Sequence, residues 1–245
     1  IPEADGGAGP DMLAAVLVTA ELAAIHPPLA GVFATQSLCG GRVISELGTE
    51  AQKERYLPGL LDGSLLMTLA VTEPDQGYEE TGSGTKTRAE GDRIFIEGRK
   101  SVVRLADRAA FLITHATAAE DGGASAFYIV DAAGSGVDVH PMEPVGFHGM
   151  SLCGVTFNNV SVSTGDRLGG EADAGAENQK RDRIMAAEHL AVAACAMGIA
   201  RGAYDYALQY AKERIQFGKP IVRFGAVQDM LVDMGLGIRS AGLLT

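Results

Sequence analysis

"ELGTEAQKERYLPGLLDGSLLMTLAVTEPDQG" occupies Glu46–Gly77, and the periodicity of the chain changes inside it. The first half has helical spacing. Thr49 is placed as an N-cap, Glu50 supplies an acidic first turn, and Pro58 predicts an end or a kink. From Leu65 the run "LLMTLAVT" reads as a strand bounded by turn residues. A chain that switches once from helix to strand, with no βαβ alternation, segregates its helices from its sheet.

The reading extends outward on both sides. Upstream, "PDMLAAVLVTAELAAI" (10–25) starts on Pro10 and Asp11, runs at helical spacing and is broken by Pro27 and Pro28. A second helix is expected through "LAGVFATQSLCGGRVISELG" (29–48). Downstream, "TKTRAE", "RIFIEG", "AAFLITHA", "AFYIVD" and "GVTFNNVSV" read as short strands separated by Gly, Asp and Asn clusters. Alternation is clear in two of them, and the zone is expected to be all-β with a barrel or sandwich topology. Then "GGEADAGAENQ" (169–179) reads as a loop, 182–214 as a helix, "FGKPIVRFG" (217–225) as a turn, and the rest as another helix. The fold class is therefore α+β multidomain. A helical domain spans 1–64, a β domain 65–172, and the start of a helical bundle 173–245.

Composition narrows the function classes. The 245 residues carry 20 basic and 31 acidic side chains, a net charge of −11. That balance disfavours nonspecific nucleic-acid binding and lacks the basic stripe of an anionic-membrane binder. Cys39, Cys153 and Cys195 are widely spaced and odd in number, so neither a disulfide framework nor a zinc site is expected, and a reducing compartment is the simplest reading. The histidines show no HxxH or HExxH spacing, so no metal is expected. No signal peptide is visible. The apolar run "IMAAEHLAVAACAMGIA" (184–200) is short and Ala-rich, which predicts a core helix rather than a membrane span. The chain begins at Ile1 and ends on "SAGLLT" inside a helical pattern, as a fragment lacking both ends would.

Three stretches are candidates for chemistry. "TEPDQGYEETGSGTKT" (72–87) has neither Walker A nor dinucleotide-fold spacing. It reads as a surface loop, or as a source of backbone N–H groups for a phosphate. Glu188 interrupts an apolar helix face formed with Ile184, Ala191, Val192, Cys195 and Ile199. A desolvated carboxylate there would hold its proton more tightly and suit a general base. The alternative is a Glu that leans outward or pairs with a buried Arg. "AKERIQFGKP" (211–220) reads as a cationic helix end with a Gly stop, or as an Arg fork for a diphosphate with Phe217 packed on a ring.

Together these pieces resemble the acyl-CoA dehydrogenase family over the whole chain. The resemblance is carried by "IPEADGGAG" (1–9), the Glu46–Gly77 segment, "DRIFIEGRK" (92–100) and "GIARGAYDYALQYAKERIQFGKPI" (198–221). It implies FAD between the β domain and the C-terminal helices. Leu69, Val71 and Thr72 fall where the family lines the flavin ring, and Gly77 and Tyr78 at its flavin-diphosphate and thioester turn. Arg214, Gln216 and Phe217 fall where one subunit reaches its neighbour's FAD, which implies a homodimer or homotetramer. Glu188 falls at the helix-borne base position of the isovaleryl and long-chain types. The implied reaction is α,β-dehydrogenation of an acyl-CoA, with Glu188 taking the α-proton, flavin taking the β-hydride, and electrons passing to an electron-transfer flavoprotein. The implied location is the bacterial cytoplasm or the mitochondrial matrix. Departures are specific. Val102 and Arg104 replace a Trp and a Thr near the flavin, Tyr78 a Ser, and Gly225 a Gln. His189, a substrate-side candidate, replaces an Arg. They keep two other readings open: a non-catalytic or half-active subunit of a heteromeric dehydrogenase, and a flavin oxidase on the same scaffold.

Overall fold

The computed structural model describes residues 1–9, 11–74, 84–119, 124–170 and 174–244. Contacts divide the chain into two compact units. One comprises Ile1–Asp11 and Val32–Glu188, the other Met12–Gly31 and His189–Thr245.

The helical start of the chain is built from local signals. Helix α1 (Met12–Ile25) stops before Pro27, which opens α2 (Pro27–Ala34). His26 caps α2, its Nδ1 accepting from the Leu29 N–H at 3.1 Å. The expected second helix is not continuous. A π-helical segment, Thr35–Gly41, separates α2 from α3 (Arg42–Leu47). The wider turn coincides with Gly40 and Gly41, and a side chain at Gly40 would come within 3.1 Å of the Met67 carbonyl, so the segment lies tightly against the first strand.

Helix α4 (Glu50–Asp62) carries the predicted cap, made reciprocal by Gln52: Thr49 Oγ1 accepts from the Gln52 N–H and Gln52 Oε1 from the Thr49 N–H. Pro58 does not end the helix, the first of the two outcomes expected of it. The helix runs through it to Gly63. Tyr56, Leu57 and Leu60, all buried, hold this stretch against the core. That packing offsets the roughly 3 kcal/mol an interior proline costs.

The central residues form one seven-stranded sheet: β1 (Met67–Ala70), β2 (Lys86–Glu90), β3 (Arg93–Arg104), β4 (Phe111–Ala118), β5 (Ser125–Asp131), β6 (Val137–Met142) and β7 (Leu152–Ser163). The order is β1-β4-β2-β3-β7-β6, with β5 on β4. β1 and β2 run parallel to β4, and the other pairs are antiparallel. One core joins Ile96 and Val103 of β3, Leu112 of β4, Tyr128 and Val130 of β5, and Val155 and Phe157 of β7. The sheet therefore folds over on itself, as the sandwich expectation requires. β6 is an edge strand bearing Pro141, and it carried no strand signal in the sequence.

Helix α5 (Ala174–Glu213) begins earlier than expected, so most of the predicted 169–179 loop is helical. Glu177 is buried and paired to Arg167 at 3.1 Å and Lys180 at 3.2 Å. Tertiary ion pairing thus orders a stretch whose composition reads as a loop. By length and composition α5 could cross a membrane. Its first half, through Glu188, belongs to the strand-bearing unit and is tied within it by side-chain ion pairs.

In the second unit, Gly198 and Gly202 of α5 lie against α1. A Cβ at either would meet the carbonyl of Ala20 or Ala24 within about 2.2 Å. Arg201 forms a two-pronged pair with Glu21, both contacts 2.7 Å. The expected 217–225 turn contains a small hairpin of β8 (Ile215–Gln216) and β9 (Lys219–Pro220). Its central residues Phe217 and Gly218 both have positive φ, as a type I′ turn requires. Helix α6 (Gly225–Leu244) follows.

Candidate functional site

Strand β3 places the site's residues by breaking its own alternation. A first irregularity falls at Gly98, where φ is +148° and a side chain would come within 2.5 Å of Thr85. A second, between Lys100 and Val103, inserts one residue relative to β7. Lys100 and Val103 are therefore both buried although three apart, and Arg104 follows at the cavity. The extra turn costs backbone strain. Val102 sits at φ +53°, a region that β-branched residues avoid. It is 51% exposed, so little packing holds it there. Val102→Gly is expected to leave stability unchanged or raise its melting temperature, by relief of roughly 1 kcal/mol. A melting temperature several degrees lower would show that the valine side chain is needed.

Leu69, Val71, Thr72, Ser101, Val102, Arg104, Met185 and Glu188 line one cavity of about 30 Å³. At its wall, Arg104 Nη1 and Nη2 donate to the two oxygens of Glu188 at 2.6 and 2.5 Å. Arg104 Nε donates to Thr35 Oγ1 at 3.0 Å. The Cys39 thiol donates to Glu188 Oε2 at 3.0 Å, and its sulfur accepts from Arg104 Nη2 at 3.5 Å. The π-helical segment thus supplies two of the four side chains. Burial alone would weaken the Arg104 charge, but hydrogen bonding to Glu188 and the negative charge around it push the guanidinium above its ordinary value. Burial, reinforced by Glu188, raises the Cys39 thiol well above its usual range, so it stays protonated.

This corrects the expected setting of Glu188. Its neighbour is a buried Arg rather than a bare apolar face, the second of the two readings the sequence left open. Val192, expected on that face, is exposed, whereas Ile184, Ala191 and Cys195 are buried. Cys39 and Thr35 were missed altogether, since nothing local marks a residue 149 positions from its partner. Arg104 did carry a signal, a charge between the apolar Val103 and Leu105.

A second buried pair braces the site from behind. Lys100 Nζ lies 2.6 Å from Glu73 Oε1 and 3.2 Å from the Val71 carbonyl. Glu73 also accepts from the N–H groups of Gly84 and Thr85. Burial lowers Lys100 to about 8 against the opposing pull of Glu73. Nearby, burial and then the Lys100 charge lower His115 to about 4, which keeps it neutral.

The family models for the acyl-CoA dehydrogenase N-terminal, middle and C-terminal domains match residues 1–64, 68–160 and 180–245. The chain belongs to the acyl-CoA dehydrogenase family. It is 34% identical to the caffeyl-CoA reductase-Etf complex subunit CarC of Acetobacterium woodii, covering 100% of this chain and 64% of that one. It is 33% identical to glutaryl-CoA dehydrogenase of Desulfococcus multivorans, covering 100% and 63%. Among solved structures, a glutaryl-coenzyme A dehydrogenase complexed with glutaryl-CoA superposes with TM-score 0.91 at 29% identity, covering 100% of this chain and 62% of that one. Butyryl-CoA dehydrogenase from Megasphaera elsdenii gives 0.90 at 28%, covering 100% and 65%. The chain thus spans under two thirds of the length of these relatives.

Of the residues the family resemblance singles out, the structure brings Leu69, Val71, Thr72, Val102, Arg104 and Glu188 together. Gly77 and Tyr78 lie outside the described residues. Arg214, Gln216, Phe217, Gly225 and His189 are exposed in the second unit, Phe217 almost fully at the tip of its hairpin.

Proposed function

We propose that the full-length protein is an FAD-dependent acyl-CoA dehydrogenase, organised in three domains at 1–64, 65–172 and 173–245. Its substrate is an acyl-CoA thioester and its product the trans-2-enoyl-CoA. Electrons leave to an electron-transfer flavoprotein. The observation that carries this reading is the seating of a helix-borne carboxylate, Glu188, on the same cavity as Leu69, Val71 and Thr72.

The cavity residues fit a flavin. Leu69, Val71 and Val102 offer an apolar wall and Thr72 and Ser101 offer hydroxyls, while Arg104, which can only donate, already engages Glu188 and Thr35. Bound FAD would supply the acceptor for the β-hydrogen as hydride. Glu188 would take the α-hydrogen as a proton, and that C–H electron pair becomes the new C=C bond. Hydrogen bonds to the thioester carbonyl would favour the enolate character that develops. Arg214, Gln216 and Phe217, on their exposed hairpin, would reach the FAD of a second subunit in a homodimer or homotetramer. The location this reading implies is the bacterial cytoplasm or the mitochondrial matrix.

One observation favours a second reading, a non-catalytic subunit of a heteromeric dehydrogenase: Arg104 already engages both oxygens of Glu188. The visible spectrum of the purified full-length protein separates the two. Flavin bands at near-stoichiometric amounts that bleach anaerobically on adding acyl-CoA are expected. A colourless protein that turns yellow only with a partner chain would favour the subunit, and rapid reoxidation by oxygen alone would indicate a flavin oxidase.

A further inference from the structure

The Arg104–Glu188 contact has a chemical consequence. A general base needs an oxygen lone pair open to the proton it takes. Here both carboxylate oxygens accept from one guanidinium fork, and Oε2 also accepts from Cys39. The fork is itself fixed. Thr35 holds Nε, so the guanidinium plane keeps its orientation when the carboxylate leaves. Neither side chain is sealed: Arg104 keeps 19% and Glu188 15% exposure, and both border the cavity. Glu188 thus occupies a preformed, planar, two-pronged carboxylate receptor that borders the cavity. Planar two-point recognition is what a guanidinium offers a carboxylate and an ammonium does not.

From this arrangement we infer that Arg104 is a specificity residue for acyl-CoA substrates carrying a second carboxylate on the acyl chain, and that Glu188 is its resting occupant. The incoming carboxylate takes the guanidinium fork and Glu188 is released as the free base. Arg104 keeps a carboxylate partner throughout, while the displaced Glu188 carries its negative charge to the partly exposed cavity wall. A neutral acyl group offers nothing to Arg104 and leaves the base engaged. This inference rests on the reading of Glu188 as the base, and its test keeps the two apart.

The test measures binding of the dehydrogenated products, which bind the oxidised holoenzyme without turnover. The probes are trans-2-hexenedioyl-CoA and the chain-matched neutral trans-2-hexenoyl-CoA, followed by calorimetry. The wild-type protein is expected to prefer the dicarboxylic product by no more than about tenfold, because the new charge-assisted pair replaces the existing Arg104–Glu188 pair. R104Q should erase the preference, and R104K, which keeps the charge but loses the fork, should retain only part of it. E188Q removes the competing anion, so it should bind the dicarboxylic product more tightly than wild type, by a larger factor than any change in the neutral product. Equal affinities in the wild type, a preference surviving in R104Q, or no tightening in E188Q would overturn the inference. Flavin bleaching by E188Q tests the base separately. If that variant still turns over, the base reading fails, and the affinity comparison still decides the receptor.

Discussion

Glu188→Gln should slow flavin bleaching by acyl-CoA by about a thousandfold, within the range a general base contributes, while the protein stays folded. The substitution preserves shape. The amide oxygen still accepts one hydrogen bond from Arg104, but the amide nitrogen cannot, and the guanidinium loses its counter-charge. Arg104 remains partly solvated, so the expected stability loss is about 1–3 kcal/mol rather than the larger cost of a sealed pair. Stopped-flow reduction and a thermal melt measure the two effects independently. Near-wild-type reduction in a folded, flavin-loaded variant would remove Glu188 from the chemistry.

What was legible in the sequence was what the chain decides locally. The cap of α4 spans four residues, Thr49 to Gln52, and its two partners lie only three positions apart. The strands with clear alternation were found for the same reason. β6 was missed because an edge strand with Pro141 needs neither alternation nor a full set of donors. The first turns of α5 were read as loop because their order depends on Glu177 meeting Arg167, which no periodicity encodes. The site divides in the same way. Family motifs located the residues that line the cavity. The partner of Glu188 lies 84 positions away, and only folding brings Arg104 to it. The carboxylate stood out in its apolar helix, but its electrostatic setting was not readable there.

The pair behind the site sets the largest expected effect on stability. Lys100 and Glu73 are almost wholly buried, and Glu73 also receives two backbone N–H groups. Lys100→Met leaves a buried carboxylate without its cation, and Glu73→Gln leaves a buried ammonium without its anion. Each is expected to cost about 3–5 kcal/mol. The double variant should lose less than the two singles together, because neither charge is then stranded and the Gln oxygen can still accept from Gly84 and Thr85. Strict additivity would show that the two side chains act independently. The pH dependence has a defined sign. Burial holds Lys100 near 8 in the folded state, against 10.5 unfolded. Between those values the unfolded chain binds the extra proton, so this contribution to stability is present above 10.5 and is lost as pH falls through 8. Lys100→Met should flatten that alkaline slope relative to wild type, read from urea unfolding at several pH values. The functional consequence follows from position. Glu73 ties Gly84 and Thr85 to the end of β1, and Lys100 immediately precedes the bulge that carries Val102 and leads to Arg104. Loss of the pair should therefore reduce flavin occupancy, measured as the ratio of visible to protein absorbance, even below the temperature at which either variant unfolds.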